Sequence, residues 1–347
     1  MVQRLRNWKT IIAVLLLLVA AEGVARIPAL QRIFDPVDGS IEAARWRYAA
    51  LADEIDIVLM GDSRAALDLS PNTIQTELLR LTGDQARVVN VAVGGSPMEQ
   101  SALFFSEIMA GEHRPRLVVL NVSEVALNDS AWYDNPPYYM RGAAAPLSLE
   151  TWRVPQSRSA VFDSLSGLMR LHPRLRLAVE GSWIRYWRGT EQYDWGARRW
   201  YGQMDAQGEA EQLAAYRDTY LTDFAPTGVQ MEFLEGILRQ AREQNVRLIL
   251  LITPVKRAFL DAFPSPDDAT RFTLSVSDVA KQYGVPLIDY YQLPDLTDDK
   301  FFDLHHTNAG GAEWLSALLT REVLAHAWQD WDGFAASHVR LLATSHE

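Results

Sequence analysis

Short apolar runs recur along this chain and alternate with stretches of helical periodicity. The clearest helical stretch spans 228–244, where apolar residues return every three or four positions and Thr227 with Gln230 forms a capping box. Such alternation predicts a parallel sheet covered by helices on both faces. The predicted strands are continuous apolar runs, as fully buried strands are, and occupy residues 56–60, 87–93, 116–122, 246–252 and 285–290.

The N-terminal segment, residues 1–34, has the pattern of an export signal. Three basic residues within the first nine positions precede an uncharged apolar run at 10–21, which Glu22 closes. We expect an uncleaved membrane anchor; a signal peptide cleaved near 19–21 and a buried amphipathic helix are the alternatives. Because positive residues stay inside, the chain from about residue 35 onward is expected to face the periplasm or the cell exterior.

The domain that follows, 35–347, is interrupted by a segment without clean strand-helix alternation at about 130–226. We interpret this segment as an insertion between the third and fourth strands. Its aromatic side chains could cover an active site or stack on sugar rings, or they could simply pack against the domain. The tryptophans of the insertion are Trp132, Trp152, Trp183, Trp187, Trp195 and Trp200.

Composition narrows the possible functions. The chain has 347 residues, of which 48% are hydrophobic, so it can bury a sizeable core. A formal net charge of −11 argues against a nucleic-acid partner, because phosphate binding depends on clustered Lys and Arg. The absence of cysteine excludes disulfides, thiolate catalysis and cysteine-ligated zinc.

A candidate nucleophile stands at the end of the first predicted strand. Ser63 belongs to a Gly-Asp-Ser sequence there, and active sites of open parallel sheets lie at the carboxyl ends of the strands. A serine hydroxyl needs a base to take its proton. Asp303 and His306 are three residues apart, so one turn can place a carboxylate beside an imidazole, while His305 points elsewhere on that turn. Thr307 or Asn308 would cap the helix that follows.

No cofactor or metal is expected from these residues. The sequence contains no glycine-rich phosphate loop. Asp303, His305 and His306 could be considered as metal ligands, but adjacent histidines on one turn seldom converge on one ion.

Three sequence blocks together resemble the SGNH hydrolases, also called the GDSL family. They are GDSR at 61–64, NVAVGG at 90–95 and DLHHTNAGG at 303–311, in the family's order, and the resemblance covers most of 55–325 apart from the insertion. It implies a flavodoxin-like, three-layer α/β fold and an acyl-serine mechanism. By the same resemblance, Ser63 is the nucleophile, His306 and Asp303 complete the triad, and backbone N–H groups of Ser63 and Gly95 form an oxyanion hole.

The third block of the family is altered in this chain. The family has Gly-x-Asn-Asp directly after the third strand, whereas Asn128 and Asp129 arrive several residues late here. We expect Asn128 to be the third oxyanion donor, with Asn121 and Ser123 as the other candidates.

The anchor, the GDSR block and the sequence ITPVKRAF at 252–259 resemble a membrane-anchored subset of the family. That subset includes alginate O-acetylation proteins and the D-alanine transfer protein of teichoic acid modification, which act with a membrane-bound O-acyltransferase on envelope polymers. The resemblance implies a single-pass protein of the inner membrane that acts on acyl, most simply acetyl, esters of an envelope polysaccharide without a cofactor. The alternative is a non-catalytic, polymer-binding scaffold of such an assembly.

Overall fold

The structure is a computed structural model that describes residues 2–25, 44–45, 48, 51, 54–133 and 200–344. The chain divides into two compact units. The smaller unit comprises Met1–Asp38 and Tyr138–Gly189, and of it the structure describes only helix α1, Val2–Ala25. The larger unit comprises Gly39–Pro137 and Thr190–Glu347 and contains the sheet.

The larger unit is built on a five-stranded parallel sheet, which confirms the predicted α/β architecture. The strand order is β2-β1-β3-β4-β5, so β1 lies between β2 and β3, and its carboxyl end is flanked by theirs. Each strand falls within a predicted apolar run and is slightly shorter than that run. The strands are β1 Ile57–Met60, β2 Val88–Asn90, β3 Leu117–Asn121, β4 Leu248–Ile252 and β5 Leu287–Asp289.

In the part of the larger unit that the structure describes, helices connect the strands and flank the sheet. They are α2 Ser63–Asp68, α3 Pro71–Thr82, α4 Met98–Ala110, α5 Glu124–Leu127, α6 Ser130–Tyr133, α7 Ala206–Ala215, α8 Val229–Glu243, α9 Asp268–Tyr283, α10 Ala309–Leu319, α11 Ala325–Gln329 and α12 Trp331–Thr344. Shorter 3₁₀ turns occupy Arg257–Ala262 and Asp298–Lys300, and π-helical turns occupy Tyr216–Tyr220 and Thr320–Leu324.

The two faces of the sheet bury different side chains. Alternate strand residues such as Leu59, Val119 and Leu251 belong to one apolar cluster with α10 and the segment that follows it. The intervening residues of these strands point the other way because side chains alternate along a strand. On that side α4 packs on α8, and α8 packs on α9. This is the three-layer arrangement that the sequence predicts.

The start of α8 differs from its prediction. Thr227 does not cap the helix: the N-cap is Gly228, and the carboxylate of Asp129 accepts hydrogen bonds from the N–H groups of Val229 (2.7 Å) and Gln230 (2.8 Å). The side chain of Gln230 instead accepts a hydrogen bond from the N–H of Glu99. A cap supplied from 100 positions earlier replaces the local one, and it ties the segment after β3 to α8.

Helix α1 contains the predicted anchor. Apolar side chains along it, such as those of Leu16 and Val19, are exposed. Within the part of the chain that the structure describes, no helix has both the length and the apolar content needed to span a membrane. The anchor therefore stays a prediction.

The predicted insertion is described only at its two ends, so its extent also stays a prediction. Trp152, Trp183, Trp187 and Trp195 lie outside the described residues, as does the side chain of Trp132.

Removing the distant cap should weaken α8. We expect Asp129→Ala to lower the free energy of unfolding by about 1 kcal/mol, because two N–H groups of the first turn lose their acceptor. Thr227→Ala is the matched control and should change the free energy by less than about 0.5 kcal/mol. Urea unfolding of the full-length chain measures both. Equal losses in the two variants would contradict the cap by Asp129 and support the capping box of Thr227 and Gln230 instead.

Candidate active site

The end of β1 presents Ser63 at the carboxyl edge of the sheet. Gly61 adopts a φ of +134°, and a Cβ there would lie 2.9 Å from both the Cβ and the carbonyl oxygen of Asn121, so the turn requires glycine. Asp62 then caps α2 by accepting a hydrogen bond from the N–H of Arg64 at 3.0 Å. Ser63 is thus the first residue of a helix that begins directly after a strand.

The turn after Phe302 brings a histidine and a carboxylate to this serine. The Nε2 atom of His306 lies 2.8 Å from the Oγ of Ser63, and its Nδ1 lies 2.8 Å from the Oδ2 of Asp303. The other carboxylate oxygen of Asp303 accepts the N–H groups of His305 (2.9 Å) and His306 (2.8 Å). The structure therefore brings together the three residues that the sequence analysis names as a triad.

The protonation state of Asp303 sets the direction of these hydrogen bonds. Burial by itself would raise the pKa of this carboxyl, but the interactions with His305 and His306 outweigh it and hold the pKa well below its usual range. An ionised carboxylate can only accept, so the Nδ1 of His306 carries the proton. In the neutral form of this ring, Nε2 accepts a hydrogen bond from the hydroxyl of Ser63, which is the arrangement a general base requires.

Two side chains near the end of the predicted insertion support this turn, and no pattern in the sequence indicates either of them. Gln212 on α7 donates from Nε2 to the Oδ2 of Asp303 (2.9 Å) and accepts the N–H of Leu304 (3.1 Å). Tyr216, at the start of a π-helical turn, places its hydroxyl 2.7 Å from the Nε2 of His305. No sequence signal links these residues to Asp303, because about 90 positions separate them.

His305 occupies a structural place beside the triad. Its ring packs on that of His306, with 3.8 Å between centroids, and on Phe259, with 5.2 Å. Burial lowers the pKa of His305 well below its ordinary value, so the ring is neutral. Its Nε2 is hydrogen-bonded to Tyr216 and not to Ser63.

Asp303, His305 and His306 form a cluster of groups that could in principle bind a metal ion. The ligand atoms of Asp303, His305 and His306 lie within 4.8 Å of one another. However, Asp303 and His306 are hydrogen-bonded to each other, and the remaining nitrogen of His306 is bonded to Ser63. The Nε2 of His305 is bonded to Tyr216, and the Nδ1 of His305 is the one ring nitrogen of the two histidines without a hydrogen-bond partner among the described residues.

A small cavity of about 140 Å³ opens beside Ser63. Gly95 lies on its wall and has a φ of +64°, and the adjoining Gly94 leaves only 3.7 Å between a Cβ built on it and the Cβ of Ser63. The structure thus places the predicted oxyanion residues Ser63 and Gly95 on one cavity. The other walls include Arg64, Tyr216, Tyr220 and His305.

Asn128 does not join Ser63 and Gly95, which corrects the expected third donor. It follows α5, whose turn of helix carries it away from the end of β3, and it does not line the cavity. Its buried amide donates to Ser130 (2.8 Å) and to the carbonyl of Tyr220 (2.8 Å), and its oxygen accepts the N–H of Ala225 (3.2 Å). Asn128 therefore fastens the segment around 220–225 to the domain.

The two other candidate donors are engaged with Asp62. Asn121 donates from Nδ2 to its carboxylate at 3.0 Å, and the hydroxyl of Ser123 donates to the other carboxylate oxygen. Because a serine hydroxyl has one proton, Ser123 cannot donate to a substrate at the same time. Asn121 keeps a second amide N–H, but it is buried and does not line the cavity, so the backbone N–H groups of Ser63 and Gly95 are the remaining candidate donors.

One tryptophan of the predicted insertion stands at the site. The ring of Trp200 is half-buried and meets that of His306 edge to face, with 5.3 Å between centroids. It also packs on Phe302 at 4.6 Å, and its carbonyl accepts the N–H of Ala309 at 2.7 Å. The helix that begins there, α10, is capped by Asn308, one of the two predicted candidates, through the N–H of Gly311.

Comparison with known proteins finds similarity at the level of solved structures. No protein-family profile and no curated protein sequence matches the chain. A lipase/acylhydrolase from Enterococcus faecalis aligns with 78% of this chain and 95% of its own at 16% identity and a TM-score of 0.40. A GDSL-like lipase from Bacteroides thetaiotaomicron aligns with 83% and 98% at 13% identity and a TM-score of 0.40. An aryl esterase from M. smegmatis aligns with 78% and 99% at 11% identity and a TM-score of 0.38.

Proposed function

We propose that this protein is a serine esterase or acyltransferase of the SGNH type that works through an acyl-Ser63 intermediate. The observation that carries the proposal is the continuous hydrogen-bond chain from Ser63 through His306 to Asp303, with 2.8 Å at each contact. The fold fixes both ends of this series of hydrogen bonds. Ser63 begins a helix at the edge of the sheet, and Asp303 accepts backbone N–H groups of the turn that holds His306.

The reaction follows from the direction of the hydrogen bonds. The Oγ of Ser63 attacks the carbonyl carbon of an ester while the Nε2 of His306 takes the serine proton. The tetrahedral species collapses when His306 gives that proton to the departing alcohol oxygen, which leaves an acyl-serine. An incoming hydroxyl, from water or from a sugar, then loses its proton to His306, attacks the acyl carbon and releases Ser63 as the free hydroxyl.

The negative oxygen of each tetrahedral species would be held by the N–H groups of Ser63 and Gly95. One such hydrogen bond is worth roughly 3–4 kcal/mol of transition-state stabilisation. With Asn128, Asn121 and Ser123 engaged elsewhere, this site has no side-chain donor among the candidates that the sequence offered.

The cavity favours a short acyl group. Its volume of about 140 Å³ is well below the several hundred Å³ of pockets that enclose drug-sized ligands. Tyr216 and Tyr220 close one side, with 5.0 Å between their ring centroids. An acetyl group fits such a space, whereas a long acyl chain would have to leave it.

Labelling with a fluorophosphonate tests the nucleophile directly. We expect the full-length chain to be labelled at Ser63, Ser63→Ala to remain unlabelled, and His306→Ala to react at least about 10²-fold more slowly. His305→Phe keeps a ring between Phe259 and His306 and should slow the reaction far less. Mass spectrometry locates the label. Equal slowing by the two histidine variants would remove His306 from its role as base.

The features of the N-terminus support an exported, membrane-anchored enzyme, with residues 35–347 on the outer side of a cytoplasmic membrane. Basic residues precede the apolar run, and apolar side chains of α1 such as Leu16 and Val19 are exposed. In such a position the substrate would be an ester of an envelope polymer.

A pair of C-terminal reporter fusions tests this topology. A periplasmic alkaline phosphatase should be active, and a cytoplasm-only fluorescent protein should be dark, because the positive residues hold the N-terminus inside. Neutralising Arg4, Arg6 and Lys9 together is the matched variant and should reduce the phosphatase signal. A fluorescent cytoplasmic fusion would contradict export and, with it, the envelope substrate.

Acyl transfer to or from an envelope polysaccharide is the reaction that we propose for this setting, with a membrane-bound O-acyltransferase as the partner that handles the acyl donor. Trp200 supports a sugar acceptor, because a half-buried indole beside His306 can stack on a sugar ring and hold its hydroxyl near the acyl-serine. Transfer and hydrolysis share the same intermediate, so the outcome depends on whether that hydroxyl excludes water.

The competition between sugar and water is measurable. With an acetyl-ester donor and envelope oligosaccharides, Trp200→Ala should lower the ratio of acetylated sugar to free acetate, whereas Trp200→Phe, which keeps an aromatic face, should lower it less. Mass spectrometry and acetate release give the two rates. Unmodified sugars together with rapid cleavage of long-chain lipid esters would contradict the transfer proposal and identify an esterase of lipids.

The engagement of Asn121, Ser123 and Asn128 by other groups favours one other function, that of a non-catalytic scaffold that binds an envelope polymer. The fluorophosphonate experiment separates the two functions, since a scaffold needs no activated serine and would stay unlabelled.

A further inference from the structure

A buried carboxyl at the far end of the serine helix joins that helix to the histidine turn. Asp68 is the last residue of α2 and is fully buried. Its Oδ1 accepts two hydrogen bonds from Thr307, one from the backbone N–H at 2.7 Å and one from the hydroxyl at 3.0 Å. Thr307 directly follows His306.

We propose that Asp68 is a positioning residue, which fixes the backbone of the His306 turn on the helix that carries Ser63. The inference rests on the proposed function. Asp68 touches neither the reacting atoms nor the cavity, and it acts through Thr307. Both Thr307 donors bind one oxygen, so the contact restrains the backbone and the side-chain rotamer of this residue together.

The geometry explains why such a tie is needed. Ser63 and His306 are 243 positions apart, and their 2.8 Å contact depends on how two separate segments meet. Asp303 orients the imidazole from within its own turn, but it does not connect that turn to α2. Asp68 makes this connection, and a second one follows where the N–H of Ser70 donates to the hydroxyl of Ser316 at 2.7 Å.

The charges around Asp68 indicate how it responds to pH. Burial raises the pKa of the Asp68 carboxyl to about 7, against the opposing effects of His306, the two Thr307 hydrogen bonds and Arg64. Arg64 is the basic residue of α2, the helix that also carries Asp68. Glu313, the ionisable residue of α10, is exposed. A proton on Oδ2, which has no partner among the described residues, leaves Oδ1 able to accept from Thr307 in both forms.

Variants of both partners test the tie in the full-length chain, with 4-nitrophenyl acetate as the substrate. Asp68→Ala removes the acceptor and should lower kcat about 10²-fold with little change in KM. Asp68→Asn keeps an oxygen acceptor of the same shape and should recover most of that loss. Thr307→Val should lower kcat about tenfold, and Thr307→Ser, which keeps the hydroxyl, should lower it less.

A pH titration of stability adds a readout that is independent of activity. The folded chain keeps the Asp68 proton up to about pH 7, whereas the unfolded chain releases it near pH 4. The contribution of this group to stability therefore falls as pH rises through that window, and Asp68→Asn should lack this fall.

Four outcomes would overturn the proposal. The first is an Asp68→Ala variant that folds with the kcat of the wild type, and the second is an Asp68→Asn variant that loses as much as Asp68→Ala. If Asp68→Ala does not fold, the two Thr307 variants provide the test. The third outcome is equal kcat values for Thr307→Val and Thr307→Ser. If the wild type reacts with neither the ester nor a fluorophosphonate, the proposed function fails and takes this inference with it.

Discussion

A buried carboxylate governs the candidate active site, because its charge decides where every proton of the site lies. Asp303 accepts four hydrogen bonds, from the N–H groups of His305 and His306, from the imidazole of His306 and from Gln212. A carboxylate this well solvated by the protein stays ionised despite burial. It therefore fixes the tautomer of His306, and the tautomer in turn makes Ser63 a hydrogen-bond donor toward its base.

Three separate parts of the chain are needed to hold this arrangement. The end of β1 supplies Ser63, the turn before α10 supplies Asp303 and His306, and α7 with the turn that follows supplies Gln212 and Tyr216. The last of these belongs to the segment that interrupts the strand-helix alternation. The described end of the predicted insertion is thus connected to the triad by hydrogen bonds and also forms a wall of the cavity.

The sequence predicts those features that depend on neighbouring residues. Each strand is a continuous apolar run, and the Asp303–His306 pair lies on one turn, so local patterns were enough to find them. Contacts between distant segments left no such pattern. The cap of α8 by Asp129, the support of Asp303 by Gln212 and the tie from Asp68 to Thr307 join residues about 90 to 240 positions apart. The prediction that Asn128 is an oxyanion donor was wrong for the same reason, since spacing along the chain does not show where Asn128 lies after α5.

The protonation of His306 tests this account most directly, and ¹⁵N-edited NMR of the imidazole at neutral pH measures it. We expect a proton on Nδ1, shifted strongly downfield by the carboxylate, and an unprotonated Nε2. In Asp303→Asn the amide can donate to Nδ1, so the proton should move to Nε2. A wild-type His306 that carries its proton on Nε2 would contradict the claim that Asp303 prepares this ring to accept the proton of Ser63.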